Sequence, residues 1–151
     1  MDRMCVLRIS AELNELEAMR RLVEEQVRAL GVESSAVYDV LLAVDELTMN
    51  IVVHGYRGQP GMIEVEMRTL GDALEVRLRD QAPPFDPTLV STPDTTLPLE
   101  LRPPGGMGIL LARHFMDSMI HRILPQGGNE LILVKKGVLG TSPKEETPTP
   151  D

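Results

Sequence analysis

Glu46 and Asn50 stand inside an otherwise apolar stretch, and a third polar residue, His54, closes it. At about 100° per residue the three fall at i, i+4 and i+8, along one stripe of a single helix. Leu42, Met49 and Val53 flank the stripe on one side and Ala43 and Leu47 on the other. Val37, Val40, Leu41, Val44, Ile51 and Val52 cover most of what remains. A helix apolar almost all round is expected to be buried. A carboxylate and an amide buried there are costly unless something pairs with them, and no obvious cation stands in the same turns. The expected partner is a ligand or a metal; the competing reading is an ordinary Glu and Asn on a solvated helix face.

The rest of the chain supplies elements to position that helix. Met4 to Ile9 reads as a first strand, with Ser10 as the N-cap of an amphipathic helix from Glu12 to Leu30, whose apolar residues recur at three and four before Gly31. Its outer face, with Glu17, Arg20, Arg21, Glu24 and Arg28, reads as solvated. Ser34 or Ser35 caps the second helix, which runs to His54. Met62 to Met67 and Leu74 to Asp80 alternate as half-buried strands joined at Gly71-Asp72, and should pair antiparallel. A proline-rich segment follows, then a short helix from Ile109 to Met116 opened by Gly105-Gly106-Met107-Gly108. Strands at Ser118 to Ile123 and Leu131 to Val134, joined by a Gly127-Gly128 turn, complete the pattern.

This order predicts an α+β fold, a two-layer α/β sandwich whose mixed, mostly antiparallel sheet carries its helices on one face. The expected division is one domain over residues 1–138, with a lid at about 81–104, and a disordered tail at 139–151 rich in Pro, Thr and charge. With two Phe, two Tyr and no Trp, the core must be filled by Leu, Val, Ile and nine Met. A net charge of −8 argues against nucleic acid or an anionic membrane as partner. The single cysteine, Cys5, reads as a small core residue, and the absence of a leader or a spanning segment predicts a cytoplasmic protein. His114 and His121, with no clustered metal-ligand partners, read as structural or exposed, and Asp86 and Asp117 as local turn or cap groups.

Three stretches line up: Glu46-x-x-x-Asn50-x-x-x-His54-Gly55-Tyr56, Asp80-Gln81-Ala82-Pro83-Pro84-Phe85-Asp86-Pro87, and Gly105-Gly106-Met107-Gly108-Ile109. In kind, order and spacing they resemble the N, G1 and G2 boxes of the GHKL superfamily, the Bergerat-type ATP-binding domains of gyrases and histidine kinases. More closely, the His-Gly-Tyr ending, the D-x-x-x-P-F-D-P form and the GGMG-I-x-L-x-x-x-F-M-D run look like the bacterial anti-sigma factor serine/threonine kinases, over residues 4–136.

The resemblance implies a role for each matching residue. Asn50 becomes the Mg²⁺ ligand, suited to it as a hard oxygen donor, and Glu46 the general base toward a hydroxyl or water. Asp80 accepts the adenine amino group, selecting adenine because guanine presents a carbonyl there. Ala82, Phe85 and Asn129 belong to the same nucleotide site. The amides of Gly105, Gly106, Met107 and Gly108 cradle phosphate at a helix N-terminus. Arg102, just before those glycines, is placed to reach the terminal phosphoryl group as the lid closes, the competing reading being a solvated loop arginine. Ala82 stands where the pattern usually has glycine, and Gly128-Asn129 where relatives often have Gly-Thr; Asn129 either supplies a hydrogen bond in place of the threonine or leaves a looser pocket.

The function implied is an ATP- and Mg²⁺-dependent serine/threonine protein kinase that phosphorylates a STAS-domain antagonist and otherwise sequesters a sigma factor, acting as a homodimer. The alternative is a non-catalytic, ATP-gated protein-binding module of the same fold. A detached histidine kinase ATPase domain fits less well, because no long helix with a phosphoacceptor histidine precedes the boxes. A P-loop enzyme is excluded by the absence of G-x-x-x-x-G-K-S/T.

Overall fold

The computed structural model describes residues 2–89 and 106–140. Its elements are β1 (Met4–Ser10), α1 (Leu16–Ala29), α2 (Ser34–Asn50), β2 (Met62–Leu70), β3 (Ala73–Asp80), α3 (Gly106–Phe115), β4 (Ser118–Ile123) and β5 (Asn129–Lys135). The strands form one sheet in the order β1-β2-β3-β5-β4, and every neighbouring pair is antiparallel. The sheet, expected to be mixed and mostly antiparallel, is antiparallel throughout the described strands. Among the described residues no helix is long and apolar enough to cross a membrane.

Alternation along each strand separates two faces. Ile63, Val65 and Met67 of β2 and Leu74, Val76 and Leu78 of β3 are fully buried and share one core with Met19, Val23 and Val27 of α1 and Val37, Val40, Leu41 and Val44 of α2. The chain remains packed beyond β5: Val138 is buried and Leu139 bridges Val32.

The opposite sheet face is a lattice of charge. Arg79 Nε lies 2.6 Å from Glu130, its Nη1 2.7 Å from Glu64 and 3.2 Å from Glu66, while Arg68 joins Glu66 at 3.0 Å and Glu75 at 3.2 Å. Arg77 and Arg122 also reach Glu130, which is completely covered. Burial alone would raise the Glu130 carboxyl, but hydrogen bonds from Arg79 and Arg122 outweigh it and hold the group below the ordinary glutamate range. Glu66 is lowered in the same way by Arg68 and Arg79. A carboxyl with a depressed pKa in the fold stabilises it fully above the unfolded-state value and loses that contribution as pH falls through the folded one. Glu130→Gln, which keeps the shape and removes the charge, is expected to cost about 2–4 kcal/mol near neutral pH. Urea midpoints measured against pH should show the gap to wild type closing below the ordinary glutamate range; a gap independent of pH would refute this.

The helices depart from expectation at their ends. Ser10 pairs with Met62 in the sheet and caps nothing, and a 3₁₀ turn at Leu13–Glu15 makes α1 start at Leu16 rather than Glu12. α2 begins at Ser34 behind Glu33 with no side-chain cap, so neither Ser34 nor Ser35 serves as one. Nor does α2 continue as an α-helix to His54. Beyond Asn50, residues Ile51–Gly55 widen into a π-helical turn, with Tyr56 N–H donating to Ile51 C=O at 2.8 Å. Such turns are frequent at functional positions. The helix is also less enclosed than its composition suggests, because a two-layer fold covers one side only: Tyr38, Met49 and Val53 are exposed.

Candidate functional site

Strand alternation that buries Leu74, Val76 and Leu78 carries Asp80, two residues further, onto the same face at the end of β3. On β5 the same rule runs from Leu133 through Leu131 to Asn129, and the register sets Asn129 directly opposite Asp80. β4 adds His121, opposite Leu131. Polar groups from three neighbouring strands thus gather at one end of the helix-facing surface. Leu47, Asn50 and Ile51 from the helix side and Phe85 from the following loop close a pocket around them.

Asp80 is held in place by donors. Its Oδ1 accepts the Ala82 N–H at 2.9 Å and Asn129 Nδ2 at 2.9 Å. Burial pushes the carboxyl above the ordinary aspartate value, with the Asn129 and Ala82 donors pulling the other way. If the carboxylate is the form that accepts an amino group, nucleotide affinity must fall on acidification, and must begin to fall at a higher pH than an ordinary aspartate would dictate. Calorimetric titrations of ATP from neutral to acid pH test this; constant affinity down to the usual aspartate range would contradict it.

The two positions where the chain departs from the family pattern find room. Ala82 is buried, and a side chain built on Gly55 would come within 3.2 Å of its methyl group. A second methyl on residue 55 would crowd it, so Gly55 leaves the Ala82 side chain its space. Asn129, also buried, bonds Asp80 and the Phe85 N–H, so it joins the two ends of the loop.

Gly128 has a role that its place in a turn conceals. Its φ of +93° is strained for other residues, and a Cβ there would lie 2.1 Å from the Asp80 carbonyl oxygen. Gly128→Ala must push β3 and β5 apart beneath Asp80, with strain of about 1–3 kcal/mol. The expected result is a lowered melting temperature together with weakened ATP binding; a variant that binds ATP as tightly as wild type would show that the close approach is unimportant.

Asn50 lies on the helix side of the pocket. Two buried polar residues of α2 can be compared. Thr48, fully buried, returns its hydroxyl to the Val44 carbonyl at 2.7 Å, satisfying itself within the helix. Asn50 is 7% exposed, and its Nδ2 has no partner among the described residues. An amide can be turned to present either end, so one polar atom of Asn50 is open to a ligand. One turn earlier, Glu46 is half-buried, and its Oε2 would lie 2.2 Å from a Cβ on Gly108 in the first turn of α3. Any larger residue at 108 would displace that carboxylate.

A magnesium ion fits this donor set. The described residues contain no group of three His, Cys, Asp or Glu side chains able to hold a metal. Turned to present its oxygen to the pocket, the Asn50 amide would supply one ligand of an ion whose other ligands are phosphate oxygens and water.

Gly106 and Gly108 open α3, which packs against α2. Gly105 and Arg102, and the side chain of Met107, lie outside the described residues. His54 is exposed, away from the pocket. Reading by residue type missed His121, which lines the pocket, and Tyr56, whose hydroxyl donates to the Met62 carbonyl at 2.7 Å and accepts the Gln81 N–H at 2.8 Å. The first was discoverable from alternation, which puts His121 on the core face of β4; the second depends on the π-helical turn, for which the sequence carries no signal.

Comparison with known proteins agrees with this arrangement. A model of the histidine kinase-like ATPase domain family matches residues 9–135. The serine/threonine-protein kinase BtrW of Bordetella bronchiseptica is 31% identical over 97 residues, 64% of this chain and 68% of that protein. The serine-protein kinase RsbW of Bacillus cereus is 25% identical over 133 residues, 85% of this chain and 82% of that one. Among solved structures, the RsbU and RsbW domains of a Mycobacterium tuberculosis protein superpose with a TM-score of 0.60 at 19% identity. That match covers 91% of this chain and 35% of the other, so the chain spans about a third of that protein, and the likeness is one of fold. With the family match covering nearly every described element, the chain belongs to the histidine kinase-like ATPase domain family, beside serine kinases of the RsbW and BtrW kind.

Proposed function

We propose that the chain is an ATP-dependent serine/threonine protein kinase of the anti-sigma factor type, working in a partner-switching system. Adenine enters the pocket between α2 and the ends of β3 and β5, where Asp80 accepts its amino group. The phosphates run toward the first turn of α3, whose free N–H groups favour anions. Asn50 would hold a magnesium ion, whose charge would offset that of the phosphate oxygens. Glu46 takes the proton from the attacking hydroxyl of a serine or threonine. The observation that carries this reading is the buried side chain of Asn50, whose Nδ2 has no partner among the described residues, one helical turn from a carboxylate that abuts the glycine-opened start of α3.

The protein substrate is a small STAS-domain antagonist and the sequestered target a sigma factor, with the kinase acting as a cytoplasmic homodimer. Support for these partners comes from the kinship with RsbW and BtrW. Against the non-catalytic alternative stands Asn129, which keeps a hydrogen bond to Asp80 at a position where the chain departs from the family pattern. The test is to mix the protein with Mg²⁺, γ-labelled ATP and a purified STAS-domain protein from the same cells. Label transferred to a serine or threonine of that partner is expected; label that appears only as free phosphate would refute protein phosphorylation.

A further inference from the structure

The contact between Asp80 and Asn129 continues into a longer string of polar groups. Asn129 Oδ1 accepts the Phe85 N–H at 3.0 Å, and its Nδ2 donates to the Ala82 and Pro83 carbonyls at 3.3 and 3.2 Å as well as to Asp80. A peptide N–H only donates and a peptide carbonyl only accepts, so the amide of Asn129 fits one way round. His121 Nε2 lies 2.8 Å from the same Oδ1 and must therefore carry a hydrogen and donate it. The other ring nitrogen, Nδ1, is 3.7 Å from Asp86 Oδ2. Asp86 in turn accepts the N–H and the hydroxyl of Thr88, at 2.8 and 2.6 Å, and Arg113 of α3 donates to the Thr88 carbonyl. The His121 side chain is 8% exposed, so it occupies a core-facing strand position where its neighbours are Met119 and Leu131. An apolar residue would pack there more simply.

We propose that His121 is a positioning residue for base recognition. Its donated hydrogen bond holds Asn129 so that Nδ2 stays on Asp80 and the carboxylate remains aimed at an adenine amino group. Asp86, 3.7 Å from the other ring nitrogen, lies beyond hydrogen-bond distance, so the positioning bond is the one to Asn129. The role rests on the reading of Asp80 as the adenine acceptor, and the experiment separates the two.

The experiment measures the affinity of the full chain for ATP and for GTP by calorimetry, together with KM and kcat. The variants are His121→Met and His121→Gln, which are alike in size and differ in having a donor. His121→Met is expected to lower the preference for ATP over GTP by about five- to tenfold, with the loss falling on KM for ATP rather than on kcat. His121→Gln, able to donate to Asn129, is expected to keep most of the preference. With Asn129→Thr as background, His121→Met should add almost nothing, since its partner is gone. His121→Leu serves the same comparison if the methionine variant melts too low to assay. A donor-less variant that discriminates as wild type does, or a glutamine variant as impaired as the methionine one, overturns the proposal. Asp80→Asn is the control: if it leaves the ATP preference intact, the adenine assignment falls and the role of His121 with it. If Asp80→Asn abolishes the preference while His121→Met retains it, only the role of His121 falls.

Discussion

Glu46→Gln should lower phosphoryl transfer by about 10²- to 10⁴-fold, the usual contribution of a positioned general base, while ATP binds almost as before. Glutamine keeps the length and shape that place the side chain against Gly108, where a Cβ would stand 2.2 Å from Oε2. It loses only the capacity to take a proton. In the proposed site adenine is held elsewhere, by Asp80 and its partners, so ground-state binding should change little. Single-turnover transfer, followed alongside calorimetric ATP affinity, reads both quantities. A variant that transfers at the wild-type rate would show that Glu46 is not the base, and one that loses ATP binding and transfer together would show that it holds nucleotide instead.

Asp80→Asn should weaken ATP binding by about 100-fold and turn the base preference toward guanine, because a buried donor would face a donor. The direction follows from the two hydrogen bonds already made. Asp80 Oδ1 accepts from the Ala82 N–H and from Asn129 Nδ2, both at 2.9 Å. An asparagine at 80 must put its oxygen there, and its amide nitrogen then points to where the adenine amino group would be. Guanine, with a carbonyl at that position, can accept from it. ATP and GTP affinities measured on both proteins decide the matter. An Asp80→Asn protein that still prefers ATP would contradict the adenine role of Asp80.

The order of elements was legible because each carries its own period. Leu16, Met19, Val23 and Val27 recur as a helix must, and Glu64, Glu66 and Arg68 alternate with Ile63, Val65 and Met67 as a strand must. The charged outer lattice is implicit in that alternation, and so is the inward face of Asp80. What no local pattern holds is the sheet order. β3 pairs with β5 rather than with β4, its nearer successor in the chain, and this alone puts Asn129 against Asp80 and His121 beside them. Alternation sets His121 on the inner face of β4, but the groups it meets there are hidden until that order is known. The closeness of Gly55 to Ala82 was hidden for the same reason, as the two positions are distant in sequence. The π-helical turn after Asn50 replaces a helix end that periodicity extends without interruption, since neither proline nor glycine marks its start.

The central claim is that this chain moves a phosphoryl group from ATP to a protein. Its most direct test is to isolate the protein from its own cells with whatever remains attached, add Mg²⁺ and ATP, and follow the intact mass of every component. One co-isolated protein is expected to gain a single phosphoryl group with the wild-type chain and to stay unmodified with Glu46→Gln. If ATP binds and changes which proteins stay attached while no mass increases, the chain is a nucleotide-gated binding module and the kinase account is wrong.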